Sequence, residues 1–149
     1  MTTAPAFVWS DAYALGYSQM DDTHREFVDC VNALLTAPDS EFAKALDAFA
    51  VHAEHHFKQE AEWMQGTDFP ATECHMDEHE AVMKSVRELQ AMLAGNAENS
   101  VRIGHSLAEE LVRWFPGHAD YMDSALAQWM VKKKFGGAPV VIRRNLQHA

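Results

Sequence analysis

Residues 73–94 read ECHMDEHEAVMKSVRELQAMLA. From His75 onward, His75, His79, Val82, Val86, Leu89 and Leu93 follow one another at steps of 4, 3, 4, 3 and 4. That is the period of a single buried stripe along an α-helix. It predicts a helix near 73–94, capped by Thr72 and ended at Gly95. Two members of the stripe are histidines, and residues four apart stack one turn above another on the same face. The inner face of this helix therefore begins with a pair of imidazoles.

Outward from this stretch the chain reads as further helices. A first lies near 20–37, ended by Pro38, with His24, Phe27, Val31 and Leu34 or Leu35 inward. Asp39 and Ser40 offer a cap for a second near 41–65, whose inner stripe is Phe42, Leu46, Phe49, His52, His56, Glu60 and Trp63 or Met64. Gly66 to Thr72, with Pro70, reads as a loop. A fourth helix starts after Asn99 and runs to about Lys134, where Lys132–Lys134 suit the negative end of the helix dipole. Its stripe is Leu107, Leu111, Trp114, His118, Met122 and Trp129, with Asp123 beside it. Residues 1–19 read as an extended arm that packs Trp9 and Tyr13 on the helices, and residues 135–149 as a short tail. The expected fold is all-α: an up-down-up-down four-helix bundle in one domain spanning 1–149.

Composition narrows the function. The chain has 149 residues, enough for one domain with a real core. A formal net charge of −10 argues against nucleic acid as the main partner. The charge is uneven: every acidic residue precedes residue 132, while 132–149 carries five basic ones. No apolar run reaches the roughly 18–20 residues a membrane span needs, and the opening MTTAPAFVWSDAY lacks the pattern of a signal peptide. Two cysteines, Cys30 and Cys74, need no oxidising compartment. These features lead to the expectation of a cytoplasmic protein that does not insert into membranes.

All four apolar stripes carry polar side chains able to ligate a metal. A lone histidine on an apolar face is more often a satisfied core residue than a ligand. Burying five imidazoles with two carboxylates is costly unless something pairs with them. The set is too large for one tetrahedral zinc. Calcium and magnesium prefer all-oxygen shells, whereas imidazole with carboxylate suits iron. If both carboxylates and a solvent oxygen bridge two metals, five histidines leave one metal six-coordinate and the other five-coordinate. Such a site has one vacancy, suited to a small diatomic molecule.

At this point the chain resembles the hemerythrin family, in its single-domain bacterial form. The motifs are WSDAYALG (Trp9 to Gly16), MDDTH ending at His24, HFKQE from His56 to Glu60, HMDEH from His75 to His79, and HADYMD from His118 to Asp123. The resemblance implies a centre of two non-haem iron ions with a bridging oxo or hydroxo group. It implies that His75, His79 and His118 hold the six-coordinate iron, that His24 and His56 hold the five-coordinate one, and that Glu60 and Asp123 bridge. It also implies reversible dioxygen binding, for carriage, storage or delivery to an oxygen-consuming enzyme, with no catalytic side chain. Trp114, one turn before His118, takes the place of the family's pocket tryptophan. Diiron oxidoreductases (peroxidase, ferroxidase or nitric-oxide handling) and sensing through a partner are the competing classes. Oxygen-activating diiron enzymes use carboxylate-rich sites with Glu-x-x-His pairs, which none of these motifs contains.

The chain departs from the family in places. Ala119 follows His118 where relatives often carry a branched aliphatic residue, which predicts a roomier oxygen pocket and faster autoxidation. Ala61 stands where many relatives have a second glutamate. Pro116 and Gly117 sit inside the fourth helix, where proline removes a backbone donor. The five-residue step from His118 to Asp123 is about 500° of rotation, leaving the two side chains about 140° apart on an ideal helix. A local bulge is needed to bring both to one site. His52 is expected to be buried near the site without ligating, His55 and His148 to face solvent, and Cys74 to be a packing residue. No role is evident for His105. Val140, Val141, Ile142 and Leu146 predict that the basic tail folds back on the acidic body.

Overall fold

The computed structural model describes residues 7–135. The histidine stripe lies on α3 (Thr72–Ala94), with His75, His79, Val82, Val86 and Leu89 buried. Before it come α1 (Ser18–Thr36) and α2 (Phe42–Gly66). After it come α4 (Ser100–His118), a π-helical turn (Ala119–Asp123) and α5 (Ser124–Phe135). The last three form one continuous rod, so the molecule is a four-helix bundle, and no strand occurs among the described residues. Each helix packs against the next, and the fourth rod closes the ring against α1. Short connections make sequential helices antiparallel neighbours.

The core divides around the polar cluster. On one side, Phe27, Val31, Leu34, Phe42, Leu46, Phe49, Val86, Leu111 and Phe115 interdigitate. On the other, Leu15, Tyr17, Met20, Met64, Phe69, Leu126 and Met130 form a smaller group. The two apolar ends flank the polar middle and exclude water from it. The ambiguous stripe positions resolve to Leu34 and Met64, which are fully buried. Gly104 permits a close approach between α4 and the start of α2: a methyl there would lie 2.3 Å from Cε2 of Phe42.

Several local expectations are corrected. Thr72 is not a cap. Ala71 occupies that position, and the Thr72 hydroxyl donates to the carbonyl of Phe69. Neither Asp39 nor Ser40 caps α2 with its side chain; Asp39–Glu41 forms a 3-10 turn that leads into Phe42. Gly66 ends α2 rather than opening the loop. On the fourth rod Phe115, not Trp114, is the fully buried aromatic, and Leu126 and Met130 take the inner positions given to Met122 and Trp129. For Leu126 and Met130 the cause is the π turn, which shifts the register of everything beyond it; Phe115 precedes that turn, and packing chooses it over Trp114. Leu107 and Leu93, at the far ends of their stripes, are half-buried.

The arm is not wholly extended. Ser10 caps a 3-10 turn at Asp11–Tyr13, and α1 begins at Ser18, earlier than its periodicity predicts. Trp9 and Tyr13 pack on the core as expected. The buried Asp21 carboxylate accepts from the amides of Leu15 (2.8 Å) and Gly16 (3.2 Å), which tie the arm to α1. Gly16 has φ 86°, a backbone region where a side chain is strained. The expected fold-back of the tail, with Val140 to Leu146 and His148, lies outside the described residues.

Candidate metal centre

Helical spacing places His56 and Glu60 one turn apart on α2, and His75 and His79 one turn apart on α3. α1 contributes His24 and the fourth rod His118. Asp123 joins them through the π turn. A π turn closes its hydrogen bonds one residue later than an α turn; here the Ser124 amide donates to the carbonyl of Ala119. Five residues thus do what four do in an α-helix, and the five-residue step from His118 to Asp123 keeps both on one face. Pro116 lies inside α4 one turn before this point.

All seven side chains are buried, with relative exposures from 0% to 5%. They form two overlapping groups, one of Glu60, His75, His79, His118 and Asp123 and the other of His24, His56 and Glu60. Within each group the ligand atoms all lie within 4.8 Å of one another. The carboxylates span the two. Glu60 Oε1 faces His75 (3.2 Å) and His79 (3.4 Å), while Oε2 faces His56 (2.6 Å) and His24 (3.7 Å). Asp123 Oδ1 faces His75 (3.0 Å) and His118 (3.2 Å), while Oδ2 faces His24 (3.1 Å). Nε2 of His79 and Nε2 of His118 approach to 3.1 Å.

Four of these atoms make no hydrogen bond: His24 Nε2, His75 Nε2, Glu60 Oε1 and Asp123 Oδ1. Buried polar groups are normally satisfied, so several orphans aimed at one small volume call for a cation there. The donor set, imidazole nitrogen with carboxylate oxygen, fits a transition metal.

The electrostatics show what the cluster does without one. Burial opposes a charge on His24, but Asp123 and Glu60 outweigh it and raise its pKa to about 10. The same opposition in His75 ends at about 9. Burial wins at His79, which falls to about 3. Burial and the Asp123 charge oppose ionisation of Glu60, yet His56 and His24 hold it well below the carboxylate range. Burial likewise opposes ionisation of Asp123, and His24 and His118 overcome it. Protonated imidazoles thus neutralise the carboxylates that a metal would otherwise neutralise.

Aromatic rings wall the cluster. Phe57 stacks on His79 at 3.9 Å and 9°. Phe115 meets His24 edge to face at 5.2 Å and stacks on Phe27 at 5.2 Å. Trp114, half-buried, stacks on His118 at 4.3 Å and 24°. Ala119 is buried in the core cluster.

Other sequence expectations divide. His52 is half-buried, its Nδ1 3.7 Å from Glu26, and stays outside the cluster. His55 is exposed. His105 lies against the ring of Phe42 at 5.1 Å. Cys74 is exposed, so its reading as a packing residue is wrong; it lies one residue from His75 and is rotated off the inner face. Three residues were missed. Phe115 and Trp114 fit the helical stripe equally well, at steps of 4 and 3 or of 3 and 4 between Leu111 and His118. Asp21 sits in MDDTH with no mark that its partners are amides of the arm. Glu78 sits in HMDEH, but its partners, Trp114 and His118, are 36 and 40 residues away.

Comparison with known proteins agrees with this geometry. Residues 15–130 match the family model described as the hemerythrin HHE cation binding domain. A bacteriohemerythrin of Ralstonia nicotianae is 36% identical over 129 residues, 87% of this chain and 92% of the relative. One of Stenotrophomonas maltophilia is 27% identical over 124 residues, 80% and 78% of the two chains. A crystal structure of wild-type hemerythrin superposes with a TM-score of 0.70 at 27% identity, covering 80% of this chain and 93% of that one. A variant hemerythrin structure reaches 0.72 at 26%, covering 83% and 99%. A bundle whose four helices each supply part of one buried histidine–carboxylate cluster, matched over most of its length, belongs to the hemerythrin family.

Proposed function

We propose that this protein holds two irons and binds dioxygen reversibly, for carriage, storage or delivery to an oxygen-consuming enzyme. The observation that carries this reading is the division of the carboxylate oxygens. Glu60 and Asp123 each turn one oxygen toward His75, His79 or His118 and the other toward His24 or His56. On this reading His75, His79 and His118 would hold one iron, His24 and His56 the other, and Glu60 and Asp123 would serve both, with an oxo or hydroxo group completing the centre. Bound there, two irons would supply the electrons and the Lewis acidity that dioxygen binding needs.

The chain's own residues do the rest. Five imidazoles from four helices set the ligands before any metal arrives, so binding costs little reorganisation. The two carboxylates neutralise part of the metal charge in a site of low dielectric. Phe27, Phe115 and Ala119 line a dry surround, with Trp114 at its edge, and keep out water that would protonate and displace a bound ligand. The relatives named bacteriohemerythrin support the assignment to oxygen binding rather than to turnover. No described helix is long and apolar enough to cross a membrane, and the free cysteines suit the cytoplasmic setting that we include in the proposal.

Metal analysis together with optical titration tests the proposal. Two irons per chain are expected, with a visible charge-transfer band that appears when the anaerobically reduced protein meets air and fades under vacuum. Irreversible bleaching coupled to substrate turnover would favour a diiron oxidoreductase. Absence of iron would sink both readings.

A further inference from the structure

His118 differs from its neighbours at the nitrogen that faces away from the cluster. Nδ1 of His24, His56 and His75 is buried without a hydrogen-bond partner. Nδ1 of His118 instead lies 2.8 Å from Oε1 of Glu78. The same oxygen accepts from the Trp114 indole at 3.2 Å, and the Trp114 ring stacks on His118. One carboxylate oxygen thus joins a ring of the cluster to the aromatic that covers it. The side chain of Glu78 is 44% exposed, whereas that of His118 is 2%. A surface glutamate would ordinarily stay in water; this one turns an oxygen inward to two ring donors.

We propose that Glu78 is a positioning residue for the metal centre: it fixes the His118 ring with Nδ1–H outward and Nε2 toward the cluster, and strengthens that nitrogen as a donor. The physical reason is general. A carboxylate on the far N–H of an imidazole selects its tautomer, restricts rotation about χ2 and pushes electron density toward the other nitrogen. A stronger donor favours the more highly charged metal, so Glu78 lowers the reduction potential of the pair. Because Glu78 also holds Trp114, ligand geometry and pocket wall respond together. The proposal rests on the iron-binding reading given above.

Glu78→Gln and Glu78→Ala separate charge from contact. Glutamine keeps an oxygen that accepts from both rings and removes only the charge; alanine removes both. In the iron-loaded protein, Glu78→Gln is expected to keep two irons per chain and to show a more positive midpoint potential by spectroelectrochemical titration. Glu78→Ala is expected to surrender iron to a ferrous chelator about 10- to 100-fold faster. In the iron-free chain, the parent should show a slowly exchanging downfield Nδ1 proton for His118 by nitrogen-edited NMR, and Glu78→Ala should lose it. Unchanged potential and release rate in both variants would overturn the proposal, and so would a retained proton signal in Glu78→Ala. If Glu78→Ala fails to fold, the potential of Glu78→Gln decides alone. If the parent takes up no iron, that failure belongs to the proposed function, and the NMR arm still decides what orients His118.

Discussion

Ala119 shows how much one side chain can decide. It is buried beside His118 and contributes only a methyl group to the wall. A branched side chain there would bring more apolar bulk to the wall beside His118. Ala119→Ile is therefore expected to slow autoxidation of the air-exposed protein severalfold, followed as the decay of its visible band; a rate equal to that of the parent would mean that Ala119 does not line the pocket. Residue identity was the most legible level. His24, His56, Glu60, His75, His79, His118 and Asp123 were all named from the chain, and the structure brings them within a few ångströms of one another. Glu78 was not legible, because a glutamate on a polar face gives no sign that partners from another helix will reach it.

At the level of elements, the fourth rod carries the departures from regularity. An α-helix would separate His118 and Asp123 by about 140°, and the π turn at Ala119–Asp123 removes that separation. The need for a bulge followed from arithmetic on the sequence, but its type did not. Tyr121, within that turn, is 84% exposed. Its deletion is expected to restore α spacing, with the aspartate now four residues after His118, and to keep two irons per chain. Iron content near zero would show that the π geometry itself is needed. Gly104 marks the second irregularity. Its replacement by alanine improves helix propensity by about 1 kcal/mol but drives a methyl into the Phe42 ring, an overpacking worth about 1–3 kcal/mol. A net loss of up to about 2 kcal/mol, lowering Tm by up to about 8 °C, is expected in thermal unfolding; a raised Tm would mean that Phe42 moves aside freely.

For the molecule as a whole, metal and protons compete for one cluster. In the iron-free protein, His24 and His75 have raised pKa values of about 10 and 9, so their stabilisation is complete below about 6.5 and is lost as pH rises through 9 to 10. His79 is depressed to about 3, so its deprotonated state supports folding above about 6.5 and loses that effect as pH falls. Glu60 and Asp123, both depressed, lose their contribution only in more acidic solution. Iron-free stability should therefore peak near about pH 6.5 and decline steadily as pH rises toward 9 to 10, measured as denaturation midpoint against pH. If the proposed irons bind, their uptake near pH 7 displaces the protons on His24 and His75, so at least about two protons per chain should appear in a pH-indicator titration. Uptake without proton release would contradict the charge balance described for the cluster.

The sequence by itself determined the periodic apolar stripes, hence four helices and their inner faces, together with the residue types that meet in the middle. These are local properties, set by helical geometry and by the cost of burying polar groups. Tertiary structure alone decided the rest: that Phe115 rather than Trp114 fills the core, that Glu60 and Asp123 each face both groups of histidines, and that Glu78 reaches across to His118. Those outcomes depend on the rotation of one helix against another. That rotation is set by packing between helices, and no local pattern of side chains records it.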